Sequence, residues 1–379
     1  MNPSEVNISI LGDICPINRA EQAIATGDFG GFTDVAQLLA KQDLVVANLE
    51  CPLTDSDNKI GKTGPNIKGS PLAIKLIKHL NISILALANN HILDYGETGL
   101  NDTIKLLNEN ELQHTGAGKT IKEARRALIR EINGIRIGFL NVCEKEFNEA
   151  NEKEAGANPF DLINLLTDID DCRRACDFII LLYHGGIEMY NLPTPSMYRN
   201  FEFLAGRGVD VIVCNHQHVF SGYRKVKDSL VFYGIGNFIF DWPSARNKPW
   251  NYGLVLILTI KDKKLKEFNL VPFEQYGDHP GVRINQDISE TKLKELDSIN
   301  ARLIYENLVR EWKKFARERH NALLADLLVQ NRITRYFLRN SGLINLIISD
   351  KHKKRLFDFF NCDSLSELAR DTLRPAARD

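Results

Sequence analysis

Val211-Ile212-Val213-Cys214-Asn215-His216-Gln217-His218 carries a short apolar strand straight into two histidines one residue apart. In extended backbone, residues two apart point to the same face, so both imidazoles can serve one site. Four other segments have the same shape. Ile8–Leu11 leads through Gly12 to Asp13, Leu44–Ala47 to Asn48-Leu49-Glu50, Ile84–Ala88 to Asn89-Asn90-His91, and Phe178–Tyr183 to His184. Short apolar runs in this rhythm read as buried strands. Parallel strands of one sheet end on a common edge, where residues distant in sequence converge on a crevice. One Asp, one Glu, one Asn and three His at such an edge form a mixed oxygen and nitrogen donor set able to hold one or two divalent ions.

Taken singly, each residue has a plainer reading. Asp13 and Glu50 suit turns or helix caps. Asn89-Asn90-His91 reads equally as a capping Asn beside an exposed His, and Cys15 after a strand reads as packing. Their shared position at strand ends is what joins them. An Asn oxygen ligates hard or borderline cations, and a neighbouring His transfers a proton without being a ligand. Asp94 follows His91 by one helical-type turn and is placed to hydrogen-bond that imidazole and keep it protonated. Glu188, four residues after His184, reads as orienting the histidine, contacting substrate or facing solvent. Gly116-Ala117-Gly118-Lys119-Thr120 looks like a phosphate loop, but Gln113 stands where its first Gly is required and no strand leads directly into it, so we exclude ATP binding.

Composition narrows the class. The chain has 379 residues, enough for a large α/β domain with an appendage, and 48 basic against 49 acidic side chains give a net charge of −1. That balance excludes an electrostatic nucleic-acid binder. Seven Cys without a CxxC pair read as reduced thiols. Met1–Glu5 leads directly into a strand, with no basic or apolar leader, and no apolar run reaches the length of a membrane span. The expectation is a cytoplasmic protein.

To about residue 180 the chain alternates strands with helices expected near 33–41, 71–80, 98–110, 120–126 and 160–174. Ser70-Pro71 is a cap with Pro at the first helical position. Asn133-Gly134 between Ala127–Glu131 and Ile135–Val142 marks a hairpin, so the sheet is mixed. Leu230–Tyr233, Gly253–Ile260 and Leu265–Phe273 read as strands, with Lys261-Asp262-Lys263-Lys264 as a turn. Two stacked mixed sheets flanked by helices accommodate this pattern. Composition changes near residue 285, dividing the chain into a domain over 1–285 and an all-α appendage over 286–379. Leu296, Ile299, Leu303, Asn307 and Arg310 are expected on one helix stripe. Lys351–Arg355 reads as a solvated helix face, with contact to an acidic partner as the alternative. The appendage is expected beside the first domain and is a candidate surface for a homo-oligomer.

Gly12-Asp13, Asn48-Leu49-Glu50, Ala88-Asn89-Asn90-His91-Ile92-Leu93-Asp94-Tyr95-Gly96, Gly116-Ala117-Gly118, His184-Gly185-Gly186-Ile187-Glu188, His216-Gln217-His218 and Gly236-Asn237-Phe238-Ile239-Phe240-Asp241 occur in this order. Together they resemble the bacterial capsule-synthesis family known as CapA or poly-γ-glutamate synthesis proteins, a branch of the calcineurin-like metallophosphoesterases. The resemblance covers roughly residues 6–275. It implies a four-layer αββα sandwich with a dinuclear metal centre at the strand ends. In that scheme Asp13 and His218 hold one ion, Asn90, His184 and His216 hold the other, and Glu50 bridges them. His91, with Asp94, is the acid near the leaving-group oxygen, and Asn89, Glu188 and Asn237 contact substrate.

Two departures stand out. The superfamily usually carries Asp-x-His where this chain has Asp13-Ile14-Cys15, and the family commonly carries Gly-His-His-Pro-His where this chain has Cys214-Asn215-His216-Gln217-His218. The function implied is hydrolysis of a phosphorylated small molecule or polymer by a water activated on two divalent ions, with Mn, Fe or Zn suited to the donors. Two rivals share the motifs: a non-catalytic, metal-containing assembly or binding component of capsule synthesis, and a hydrolase of γ-glutamyl amide bonds. Pocket walls are expected from loops 54–69 and 187–200 and from segment 241–252 with Trp242, Trp250 and Tyr252.

Overall fold

The computed structural model describes residues 5–341, 343–361 and 365–366, so Met1–Ser4 and much of the expected appendage beyond residue 361 lie outside the described residues. The strands in chain order begin with β1 (Glu5–Cys15), β2 (Leu44–Leu49), β3 (Ile84–Ala86), β4 (Gln113–Thr115) and β5 (Ala117–Gly118). Next come β6 (Leu128–Ile132), β7 (Ile135–Cys143), β8 (Gly156–Ala157), β9 (Phe178–His184), β10 (Val211–Asn215) and β11 (Tyr223–Val226). The last are β12 (Ser229–Phe232), β13 (Asn237–Phe240), β14 (Tyr252–Lys261), β15 (Lys264–Gln275) and β16 (Val282–Arg283).

Among the described residues, one mixed sheet runs β16-β15-β14-β1-β2-β3-β4, with β13 paired in parallel to the end of β1. A second mixed sheet runs β11-β12-β10-β9-β7-β6, and β5 with β8 forms a short ribbon. Both hairpin turns expected from the sequence are present. Asn133 and Gly134, and likewise Asp262 and Lys263, take positive φ, the geometry that matches strand twist in a two-residue turn.

The chain packs both faces of its central strands. Val45, Ala47 and Leu49 of β2 share a core with Ala20 and Ile24 of α1 (Arg19–Thr26), Val35 and Leu39 of α2 (Thr33–Leu39), Leu76 of α3 (Ile74–His79) and Leu107 of α4 (Gly96–Glu109). The alternate residues Val46 and Asn48 point the other way and are also buried. The second sheet lies on that side. After the one-turn α5 (Ile121–Ala124), it carries α6 (Leu162–Ala175) and α7 (Pro195–Ala205) on its own outer face. The result is helix, sheet, sheet, helix: the four-layer αββα sandwich.

Two helices correct the sequence reading. α1 opens at Asn18 without a side-chain cap, so nothing local announced it. α7 occupies the end of what was expected to be the 187–200 loop. Its cap, Thr194 accepting from Met197 N–H with Pro195 at the first turn, was a legible signal. The chain divides into two compact units, Met1–Tyr305 and Glu306–Asp379. α8 (Gln286–Asn300), capped by Asn285, packs on β15 and belongs to the first unit. The expected stripe from Leu296 to Arg310 is broken, because α8 ends at Asn300 and α9 (Tyr305–Leu328) starts anew. α10 (Arg332–Ser341), α11 (Ile344–Ile347) and α12 (Asp350–Asn361) follow, with Leu324, Ala325, Leu338, Ile344 and Ile348 forming the core of the second unit. No helix among the described residues is long and apolar enough to cross a membrane.

Candidate metal centre

Strand register brings the chemistry together. β1 and β2 run parallel with Asp13 opposite Asn48, and Glu50 is the next residue beyond β2. Across the second sheet, β9 and β10 place His184 opposite Asn215, just ahead of His216. Asp13 is also opposite Asn237 of β13. That pairing requires Gly12: a Cβ there would lie 1.7 Å from the carbonyl oxygen of Gly236. Only a glycine lets the two backbones approach so closely.

His216 and His218 converge by a different route from the one the sequence suggested. They do not sit in extended backbone. Their φ values are 100° and 59°, so a tight turn of left-handed residues aims both rings. The turn is fastened where it matters: His216 N–H donates to Asp13 Oδ2 at 3.2 Å, and Gln217 Nε2 donates to the Tyr233 carbonyl at 2.9 Å. A non-glycine residue at such φ is strained, and strain of this kind collects at functional sites.

The donor atoms form two overlapping groups, Asp13–Glu50–His218 and Glu50–His184–His216, with Glu50 common to both. His184 Nε2 is 3.2 Å from His216 Nδ1, 3.0 Å from Asn90 Oδ1 and 3.6 Å from Glu50 Oε1. His218 Nδ1 is 3.5 Å from Asp13 Oδ2 and 3.8 Å from Glu50 Oε2. Two ligands each about 2.1 Å from a tetrahedral ion lie about 3.4 Å from one another. These spacings match that figure. Glu50 is fully buried, and both its carboxylate oxygens lack a hydrogen-bond partner. A buried carboxylate left this way is costly unless a cation meets it. The residues present therefore fit a divalent metal site.

Electrostatics set the donors in ligand form. Burial, then the neighbouring His216, drives the His184 pKa well below the ordinary imidazole value. Burial and His218 bring His216 down to about 3. Both rings are thus neutral, with lone pairs available. For Asp13, burial opposes ionisation, but His218, His184 and the Asn48 amide outweigh it and hold the carboxyl at about 2. Glu50 goes the other way: burial and the Asp13 charge push it well above the carboxylate range. That direction disfavours its charge in the metal-free fold, and a bound cation would oppose it.

The loop after β3 forms the outer wall. Asn89 Nδ2 donates to the Leu49 carbonyl at 2.7 Å, and Asn89 Oδ1 accepts from His91 N–H at 3.2 Å, so Asn89 shapes the turn that presents Asn90. Neither Asn90 nor His91 is exposed, which removes the reading of a cap beside a surface histidine. His91 Nδ1 lies 2.7 Å from Asp94 Oδ2. Asp94 does not set the direction of the ring's pKa, however. Burial lowers the His91 pKa by more than Asp94 raises it, and the Lys62 charge adds to the lowering.

Lys62 is the neighbour that the sequence did not reveal. Its ammonium is buried, pairs with Asp94 and stands 3.2 Å from His91 Nδ1. No motif marks Lys62; only the folding of the 54–69 loop over Asp94 brings it in, fixed by Ile67 N–H on Asp94 Oδ2 at 2.7 Å. Asn48, a motif residue without an expected role, donates from Nδ2 to Asp13 Oδ1 at 2.7 Å and reaches His184 Nδ1 at 3.2 Å. Asn237 Oδ1 lies 2.8 Å from His218 Nδ1, and Trp250 packs on the His218 ring at 4.2 Å between centroids. Glu188 is exposed, although its charge is felt at Glu50. Cys15 is buried and belongs to neither donor group found among the described residues.

A family profile described as bacterial capsule synthesis protein PGA_cap matches residues 7–242. The chain is 27% identical over 331 residues to the capsule biosynthesis protein CapA of Bacillus anthracis, covering 82% of this chain and 80% of that one. It is 28% identical over 250 residues to the PGA biosynthesis protein CapA of Bacillus subtilis (strain 168), covering 64% and 66%. A solved putative 5'-nucleotidase from Staphylococcus aureus in complex with alpha-ketoglutarate has a TM-score of 0.44 and 16% identity, over 78% of this chain and 58% of that one.

Proposed function

We propose that this chain, which belongs to the bacterial capsule synthesis protein PGA_cap family, is a metal-dependent phosphoester hydrolase. The observation that carries the reading is Glu50, a fully buried carboxylate without hydrogen bonds, shared by two clusters of donor atoms. Asp13 and His218 would hold one divalent ion, Asn90, His184 and His216 a second, and Glu50 both. Mn, Fe or Zn suits such a mixed oxygen and nitrogen set. When bound, the ions would supply a water deprotonated near neutral pH and positive charge for the phosphoryl oxygens.

The chain's own side chains do the rest. Asn48 and the His216 N–H fix both Asp13 oxygens. Asp94 occupies His91 Nδ1 and leaves Nε2 for the leaving-group oxygen. A phosphate dianion beside His91 would oppose the burial that lowers its pKa, favouring the imidazolium that can donate a proton. A phosphorylated small molecule or polymer is the substrate class that this chemistry would serve.

The test is a phosphoester screen on protein loaded with Mn²⁺, beside a chelator-treated sample and a Glu50→Gln variant. Hydrolysis confined to the loaded wild type supports the reading. A loaded, folded wild type that cleaves no phosphoester overturns it.

A further inference from the structure

The second compact unit has a surface that the proposed chemistry does not use. On α10, Ile333, Tyr336 and Phe337 are 82%, 73% and 58% exposed. Residues three and four apart share one face of a helix, so these three form a single outward stripe. Leu338 faces the opposite way, into the unit's own core. The exposed residues Arg332 and Arg339 sit at the stripe's edges. α11 and α12 continue the pattern, with Ile347, Phe357 and Phe360 at 68%, 64% and 67% exposure. Isolated exposed apolar residues are ordinary, but a run of aromatic and aliphatic ones on successive helices marks an interaction surface.

Charge says what covers it. Residues 329–361 carry seven Lys or Arg against two acids, Asp350 and Asp358, in a chain whose overall charge is −1. A second copy docking through this face would set the basic cluster against itself, because a twofold interface pairs each patch with its own image. Basic residues flanking an aromatic stripe suit a helix lying in the boundary between headgroups and acyl chains, and anionic headgroups attract Lys and Arg near the surface. We propose that α10–α12 dock the protein on an anionic lipid surface, lying on it and not crossing it. The proposal is independent of the metal centre.

The full-length protein is tested by co-sedimentation with vesicles of phosphatidylcholine alone and with one-third of the lipid replaced by phosphatidylglycerol. Two variants accompany it: Ile333→Glu with Phe337→Glu, and Lys351→Glu with Lys354→Glu. All four positions are exposed, so circular dichroism and melting should be unchanged. The expected result is binding that requires phosphatidylglycerol and weakens by about tenfold or more in each variant. Absence of binding to the anionic vesicles, or equal binding by wild type and both variants, overturns the proposal. So does a dimer in light scattering that Ile333→Glu with Phe337→Glu converts to a monomer while vesicle binding persists, since the face would then be a self-association surface.

Discussion

Glu50 Oε1 lies 3.6 Å from His184 Nε2, beyond hydrogen-bond reach yet close to the spacing of two ligands on one ion. The metal-free fold therefore carries a buried, unpartnered carboxyl. Replacing it by an apolar side chain of similar length should help folding and destroy binding. We expect Glu50→Met to raise the stability of metal-free protein at pH 7 by about 1–3 kcal/mol, measured by urea denaturation. The sign follows from linkage: the folded-state pKa lies above the unfolded one. Ionisation thus favours unfolding as pH rises from the unfolded value, and the variant's advantage grows over that range. Added Mn²⁺ should raise the melting temperature of wild type and leave the variant unmoved. A variant less stable than wild type would show that Glu50 is satisfied without metal.

Binding and proton transfer should separate at adjacent residues. His91→Ala should keep metal content near wild type and slow hydrolysis of an ester with a poor leaving group by about 10²–10⁴-fold. His216→Ala should lose metal as well, because its Nδ1 stands 3.2 Å from His184 Nε2 inside the donor cluster. Elemental analysis of the two purified variants decides the matter. Equal metal loss would make His91 a ligand.

Metal uptake should release a proton. Burial and Asp13 raise the Glu50 pKa in the metal-free fold and favour its protonated form. Titration calorimetry with Mn²⁺ in buffers of different ionisation enthalpy should give heats that track the buffer, and affinity should rise with pH. Heats independent of the buffer would place Glu50 already ionised.

Much of this centre is legible in the sequence, because the strand ends are local events. Apolar runs stopping at Asp13, Glu50, Asn90, His184 and His216 announce themselves, and parallel pairing does the rest. His216 and His218 differ: positive φ in a turn, and not strand alternation, brings them together. Lys62 illustrates what is not legible. Its place beside His91 depends on a long loop folding onto Asp94, a tertiary contact without a local signature. The same holds for α1, which lacks a side-chain cap, whereas Thr194-Pro195 is a local start signal for α7.

The segment carrying Trp250 against His218 is anchored at Asp241, whose buried carboxylate accepts from Arg19 Nη2 at 2.8 Å and from Arg246 Nη2 at 2.5 Å. Burial opposes this charge, but the two guanidinium groups hold the Asp241 pKa at about 2. Since that is below the unfolded value, the pair's contribution is complete above the unfolded pKa and fades as pH falls towards 2. Asp241→Asn should cost about 1–3 kcal/mol at pH 7, and the difference from wild type should shrink through that acid range. Stability curves of equal separation at pH 7 and pH 2 would assign the loss to packing instead.

The most direct test of the account is an anomalous difference map from crystals loaded with Mn²⁺. We expect two peaks about 3.5–4 Å apart, one against Asp13 and His218, the other against Asn90, His184 and His216, with Glu50 reaching both. A map with no peak at Glu50 would contradict the metal centre, and with it the proposed hydrolase.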